Sequence, residues 1–411
     1  MHAVFVNHCH PDMGHVCALR LRKFAEAMAA RGHRIVLLTE SLDAAETPIA
    51  PDRLAERLQG HDWNRPFYLA VQPLADGTLA SLRGGAMNRW RRAWVVLSRY
   101  LFEGGLYGGW EKAAAPYLPV LATAFRPDIV WASFGNTAVW NIGRAVASAA
   151  KCPWVADIKD NWRRFIPRGL RRLLAVRYRD AAAMTTFSRG QALEAGDWFA
   201  ARKSVIYSGF DEADIGPADA PAKPDGAFEI LITGSLYGAR EFQVFTDALT
   251  NWMTAQKRTQ PDLHLRLIYA GNDHLRAEPA LRPLAALCSL DIRPFMALAE
   301  LLAAQRRADL NVYIRWPGPF IFHHKTVELL SAEKPILCYP PENDEACQMV
   351  AGVGGVLYSC ATQQQIEAAL SQAFADRASP AEWDRAALTA YSWQGQAAVL
   401  EEVLEGARRQ P

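Results

Sequence analysis

Apolar residues dominate AVFVN (3–7) and RIVLLT (34–39). Between them, ALRLRKFAEAMAARGH (18–33) spaces its apolar positions for one face of a helix, with Gly32 placed as a C-cap. HCHPDMGHV (8–16) supplies the connecting loop. The pattern predicts strand, loop, helix, strand. Further strands of the same half are DIVWAS (128–133), WVADI (154–158), MTTFS (184–188) and SVIYSG (204–209). Strands alternating with helices imply a parallel sheet with helical crossovers.

The periodicity stops in ADIGPADAPAKPDGA (213–227), which reads as a linker. It restarts with FEILITG (228–234), a helix from about Phe242, then LHLRLIYAG (263–271), LDIRPF (290–295), ADLNVYI (308–314), PILCYP (335–340) and GGVLYS (354–359). The expected organisation is a first domain over 1–215, a linker over 216–227, a second domain over 228–384, and a terminal segment over 385–411 with an amphipathic helix. The fold class is α/β, with two doubly wound parallel-sheet domains facing a cleft at the carboxyl ends of their strands. Ligands of open α/β sheets bind at those ends. A chain of 411 residues is too long for one ordinary core, which agrees with two domains.

Composition narrows the function classes. Half the residues are hydrophobic and the net charge is +2, so no global field points to nucleic acid. Seven cysteines are scattered without a CxxC pair, which argues for reduced thiols in a cytoplasmic protein and against a zinc site. The N-terminus enters a strand directly, so no signal peptide is expected, and no apolar stretch is long enough to predict a membrane span.

Five stretches carry candidate chemistry. In FHHKTVELLSAEKPIL (322–337), Lys325 and Glu328 share a helix face just after a strand. The helix N-terminus and Lys325 suit a phosphate, and Glu328 can accept two hydrogen bonds from a ribose diol. A weak surface ion pair fits the same spacing. ITGSLYGAREF (232–242) puts Gly234 and Ser235 at a strand end and Arg240 at a helix start, suiting a diphosphate or simply a turn. HCHPDMGHVCALR (8–20) forms a similar corner with Gly14 and Arg20; His8, His10 and His15 have no recognised metal-ligand spacing, and at least two of them read better as solvated loop residues. VADIKDNW (155–162) places Asp157, Lys159 and Asp160 past a strand. Asp160 suits a base, a holder of an acceptor hydroxyl, or the cap of a helix near Trp162, whereas Asp157 suits a structural role. Residues 83–102, RGGAMNRWRRAWVVLSRYLF, are basic and aromatic at helical spacing. They fit contact with an anionic membrane surface, or more simply a helix packing its apolar face on the sheet.

Together these stretches resemble GT-B-fold glycosyltransferases, close to glycosyltransferase family 4 and related bacterial polysaccharide enzymes. The segments carrying the resemblance, in order, are PDMGHVCALRLRKFAEAMAARGHRIVLLT, RPDIVWASFGN, PWVADIKDNW, VIYSGFD, TGSLYGAR and HHKTVELLSAEKPIL. It implies two Rossmann-like domains and transfer of a sugar from a nucleoside diphosphate to an acceptor hydroxyl, without metal or other cofactor. It places the donor at Gly234, Ser235, Arg240, His324, Lys325 and Glu328, with Glu328 on the ribose. It places the acceptor, a glycan or lipid-linked saccharide, at His10, Gly14, Arg20 and Asp157. Asp160 is then a base if the reaction inverts, or an acceptor-orienting group if it retains; retention is the expected outcome. The terminal helix is expected to cross back to the first domain. Phe320 stands where the family often has a glutamate, and Ser235 where it often has an arginine. A nonhydrolysing sugar-nucleotide epimerase of the same fold and a degenerate sugar-nucleotide-binding subunit remain open alternatives.

Overall fold

A computed structural model of the chain describes residues 1–42, 48–85, 87–215, 226–316, 322–379 and 381–409. The predicted linker falls almost wholly outside the described residues, as does Phe320. The chain divides into two units, Met1–Tyr207 with Trp393–Pro411, and Ser208–Ser392. Local bonds explain the positions of these boundaries. Tyr207 donates its backbone N–H to Gln396 Oε1 at 2.7 Å, tying the end of the first segment to the terminal helix. Ser392 Oγ donates to Glu212 Oε1 at 2.8 Å, tying both ends of the second unit together.

Among the described residues, the first unit holds a seven-stranded sheet. Its strands are β1 His2–Val6, β2 Arg34–Glu40, β3 Phe67–Val71, β4 Ile129–Phe134, β5 Trp154–Ile158, β6 Ala183–Thr186 and β7 Lys203–Val205. Their order is β3-β2-β1-β4-β5-β6-β7, and every pairing is parallel. β1 is central, with Ala3 opposite Ile35 on one side and Ile129 on the other. Every residue of β4 and β5 is buried, which is what a strand covered on both faces requires. The sequence reading missed β3. Its residues alternate between buried and less buried along an edge strand, so it lacks the continuous apolar run of its neighbours.

Aromatic packing fixes the helices on this sheet. On one face, Phe24 of the helix Val16–Ala30 meets Trp131 edge-on at 5.5 Å and Trp393 at 5.5 Å. Trp393 opens the terminal helix Trp393–Arg408, and Glu401 of that helix binds Arg31 and His33, the latter at 2.6 Å. On the other face, Trp140 of the helix Thr137–Ala150 stacks on Trp162 at 5.5 Å. A side chain at Gly143 would meet Ala132 Cβ at 2.7 Å, so glycine sets how closely this helix approaches β4.

The second unit repeats the plan with β8 Phe228–Thr233, β9 Leu265–Ala270, β10 Ser289–Arg293, β11 Leu310–Ile314, β12 Ile336–Tyr339 and β13 Leu357–Ser359. Among the described residues its sheet has six parallel strands ordered β10-β9-β8-β11-β12-β13. Both sheets reverse direction of winding beside their first strand, between β1 and β4 and between β8 and β11. That reversal is where doubly wound sheets bind ligands.

Residues 83–102 depart from the simpler expectation. No residue of the helix Arg89–Ser98 is fully buried; Val96 packs against the core of the first unit, but the tryptophans of the helix do not. Trp90 is 75% exposed, Trp94 68% and Phe102 83%, with Leu97 and Leu101 also exposed. The segment is anchored instead from its far end, where Arg99 Nη2 donates to Asp76 Oδ1 at 2.9 Å and Tyr100 is buried.

Candidate functional site

In the second unit, two corners separated by some 90 residues of chain meet at the switch point. β8 ends at Thr233, and Gly234 follows with φ +99°, a left-handed conformation that favours glycine. Tyr269 OH donates to Gly234 O at 3.0 Å and holds the turn. A Cβ on Gly234 would sit 3.5 Å from Lys325 Cε, so the glycine corner and the lysine are in contact distance.

Lys325 opens the short helix Lys325–Leu330, whose Leu329 and Leu330 are buried in the core. Lys325 Nζ donates to Glu328 Oε1 at 2.6 Å, and Gln305 Nε2 donates to the same oxygen at 3.0 Å. The pair is no ordinary surface ion pair, because its side chains are only 11% and 26% exposed. Burial pushes the Glu328 carboxyl up, but Lys325, His324 and Gln305 together outweigh it and hold it below its ordinary value. The carboxylate is therefore ionised and keeps one oxygen free of these two donors.

The remaining residues expected on the donor side surround this pair unevenly. Ser235 and His324 are half-buried, and Arg240 is exposed at the second position of the helix Ala239–Thr259. That helix begins before Phe242, so Arg240 is inside its first turn. Next to the corner stands an aromatic group that sequence reasoning missed. His323 stacks on His324 at 4.9 Å and on Tyr313 at 5.4 Å, and Tyr237 meets Trp316 at 5.4 Å and His323 at 5.7 Å. Burial, with His324 and Lys325 nearby, keeps His323 neutral, well below its ordinary value.

In the first unit the structure corrects two candidates. Asp157 is 0% exposed and accepts from Ser133 Oγ at 2.6 Å and Thr185 Oγ1 at 2.7 Å. Arg20 is buried 3.6 Å from Asp157, donates to Ile206 O at 2.9 Å, and lies over the Phe24 ring at 4.9 Å. These two hold β4, β5, β6 and the first helix together from inside. They cannot touch an acceptor at the surface. The reason is strand parity: Asp157 is still within β5 and points into the layer beneath the helix.

His10 is also buried, its Nδ1 accepting from Asp12 N at 3.2 Å. Gly14 is exposed, with open space where a Cβ would go and no left-handed backbone. His15 caps the first helix by accepting from Cys17 N at 3.2 Å. Asp160 does not cap the helix at Trp162; Asn161 does, accepting from Arg164 N at 3.1 Å. Asp160 is thus left beside Lys159. Burial above all pushes its carboxyl up to about 6, with Lys159 opposing and the Cys17 charge adding. His8 lies at the switch point of this sheet, against Gly135 just past β4, where a Cβ would be 2.0 Å from His8 Cε1. Burial and Lys159 lower it to about 4. Among the described residues no cluster of His, Cys, Asp and Glu is arranged to hold a metal ion.

No protein-family model matches the chain, and no curated protein matches it in sequence. Solved structures do. A sucrose-phosphate synthase from Thermosynechococcus elongatus superposes with a TM-score of 0.65 at 13% identity, covering 98% of each chain. A UDP-forming trehalose-phosphate synthase from Burkholderia xenovorans gives 0.59 at 12% identity, covering 100% of this chain and 98% of its own. MnaA from S. aureus, solved with UDP, gives 0.52 at 12% identity, covering 98% and 95%. Likeness at such low identity speaks to architecture, and it agrees with the strand orders above: this chain has the GT-B fold, two Rossmann-like α/β domains.

Proposed function

We propose that the protein is a glycosyltransferase that moves a sugar from a nucleoside-diphosphate donor to an acceptor hydroxyl. The observation that carries this reading is the contact of Gly234 with Lys325 and of Lys325 with Glu328 at the β8/β11 switch point. In this account the diphosphate lies over Gly234, whose missing side chain leaves room beside the lysine. Lys325 and Arg240 neutralise the charge that grows on the leaving diphosphate, so the step needs no divalent ion. Glu328, ionised and pre-oriented by Gln305, accepts from the ribose hydroxyls. In a retaining transfer Asp160 orients the acceptor hydroxyl. Its carboxylate form does this work, and it predominates above about pH 6.

The acceptor in this account is a lipid-linked saccharide of a cell-surface glycan. Trp90, Trp94, Leu97 and Leu101 fall on one helical stripe and are exposed, as are Arg89, Arg91 and Arg92 beside them. Exposed aromatics among arginines suit the interface of an anionic bilayer. We assign the protein to the inner face of the membrane on this ground. Among the described residues no helix is long and apolar enough to cross one.

An epimerase would use the same donor corner, and a protein solved as a putative UDP-N-acetylglucosamine 2-epimerase from Listeria monocytogenes shares the architecture. The test is turnover of a bound sugar nucleotide with and without acceptor lipid. Release of nucleoside diphosphate that requires the acceptor, with a glycosylated lipid as product, supports transfer. Isomerisation of the sugar nucleotide without acceptor replaces it with epimerisation. Binding with neither reaction leaves a sugar-nucleotide-binding subunit.

A further inference from the structure

The account above makes no use of Cys9 and Cys17. Cys9 follows β1 and is buried, and Cys17 is the second residue of the helix Val16–Ala30. One asparagine fixes both: Asn7 Nδ2 donates to Cys9 O at 3.2 Å and to Cys17 O at 3.1 Å. One imidazole faces both: Cys9 Sγ is 3.9 Å from His15 Nδ1, which also accepts from Cys17 N at 3.2 Å. Each thiol acts on the protonation of the other, and Lys159 acts on that of Cys17. Lys159 Nζ is itself 3.5 Å from Asn7 Oδ1.

These surroundings set the pair apart from the other five cysteines. Cys9 first, then His15 and Lys159, outweigh burial and hold the Cys17 thiol well below its ordinary value. A helix N-terminus acts in the same direction. Burial instead pushes Cys152, Cys288 and Cys360 up to about 11 and Cys338 up to about 12, and it also raises Cys347. None of the seven is in a disulfide.

We propose that Cys9 and Cys17 form a peroxide-sensitive dithiol, with Cys17 as the reacting thiolate and Cys9 as the resolving thiol. The Cys17 sulfur attacks one oxygen of a hydroperoxide. An S–O bond forms, the O–O bond breaks, and the leaving hydroxide or alkoxide takes a proton from solvent. Cys17 is then a sulfenic acid. The Cys9 sulfur attacks the Cys17 sulfur, the S–S bond forms, the S–O bond breaks, and the hydroxyl leaves with the Cys9 proton as water. Two electrons have passed from the thiols to the peroxide, and a low-molecular-weight thiol returns them by exchange. The disulfide removes the negative charge of Cys17 next to Lys159 and Asp160, so oxidation changes the electrostatics of the β1 and β5 loops together.

This inference does not depend on the proposed reaction, and its test reads mass rather than activity. The full chain is treated with hydrogen peroxide, then iodoacetamide, and digested with trypsin without reductant. Both cysteines fall in one tryptic peptide, residues 1–20. The expected product is that peptide unalkylated, lighter by two hydrogens and restored by dithiothreitol, while Cys152, Cys288, Cys338, Cys347 and Cys360 take no part in a disulfide. Without peroxide, Cys17 should alkylate at least tenfold faster than Cys347, roughly the gap expected between a favoured thiolate and a protonated thiol. Cys9→Ser should arrest the reaction at a dimedone-reactive sulfenic acid on Cys17. The proposal is overturned if both cysteines of the wild-type peptide remain alkylated after peroxide, or if the disulfide formed joins other cysteines.

Discussion

Lys325 Nζ stands 2.6 Å from Glu328 Oε1, and Gln305 Nε2 approaches the same oxygen at 3.0 Å from a different helix. Glu328 is thus held by two donors while its carboxylate stays ionised. If that arrangement exists to bind a ribose, Glu328→Gln should weaken sugar-nucleotide binding more than tenfold, at least about 1.4 kcal/mol. Lys325→Ala should do the same. Titration calorimetry on folded variants checks this, and unchanged affinity in both would leave the pair with a purely structural role.

Gly234→Ala isolates the corner from the lysine. With φ at +99°, any side chain strains the backbone by about 1–2 kcal/mol, and a Cβ there comes into contact with Lys325. The variant should melt at a lower temperature and lose donor affinity. A melting curve and affinity equal to wild type would show that the turn neither needs glycine nor borders the donor.

Asp160 makes a prediction about pH whose sign can be worked out. Its carboxyl is raised from 3.8 to about 6 in the folded protein, chiefly by burial. Between those values the folded state binds more proton than the unfolded state, so stability falls as pH rises through this window. Asp160→Asn should therefore be more stable than wild type above pH 6, by at most about 3 kcal/mol, and the difference should vanish below about pH 4. Transfer by wild type should climb with an apparent pKa near 6, and Asp160→Asn should bind donor normally but transfer slowly. A flat pH profile with an unimpaired variant would remove Asp160 from the reaction.

The exposed rings of Trp90, Trp94 and Phe102 should matter for membranes and not for folding. Replacing all three by alanine should leave the melting temperature unchanged, because none of them packs against the core. The same triple variant should lose at least tenfold in partition onto vesicles containing anionic phosphatidylglycerol, since each ring contributes buried apolar area at the interface. Equal sedimentation of variant and wild type with such vesicles would refute the docking role.

Where the sequence was informative, burial was the cause. Parallel strands covered on both faces must be apolar throughout, so β1, β2, β4, β5, β8, β9, β11 and β12 stand out as runs. β3 lies at an edge, alternates, and does not. The two corners proposed for the donor were visible because glycine before a helix and a cation after a strand are local signals. Gln305 was not, because its bond to Glu328 joins helices 23 residues apart and exists only once the chain has folded. Asp157 and Asp160 illustrate the limit of one-residue resolution. Three positions separate a carboxylate locked inside the sheet from one left beside Lys159, and the cap expected of Asp160 belongs to Asn161. The stripe at 90–101 had the periodicity of a packed helix, and only the fold shows Trp90, Trp94, Leu97 and Leu101 exposed.

The central claim is that Gly234, Lys325 and Glu328 form a sugar-nucleotide site that works without metal. It is tested most directly by thermal stabilisation of the wild-type protein with UDP-, GDP-, TDP- and ADP-sugars, each in EDTA, alongside Glu328→Gln. The account predicts that one nucleotide raises the melting temperature of wild type in EDTA, and that the rise is lost in the variant at the same concentration. A rise that needs a divalent ion, or one that survives in Glu328→Gln, would contradict it.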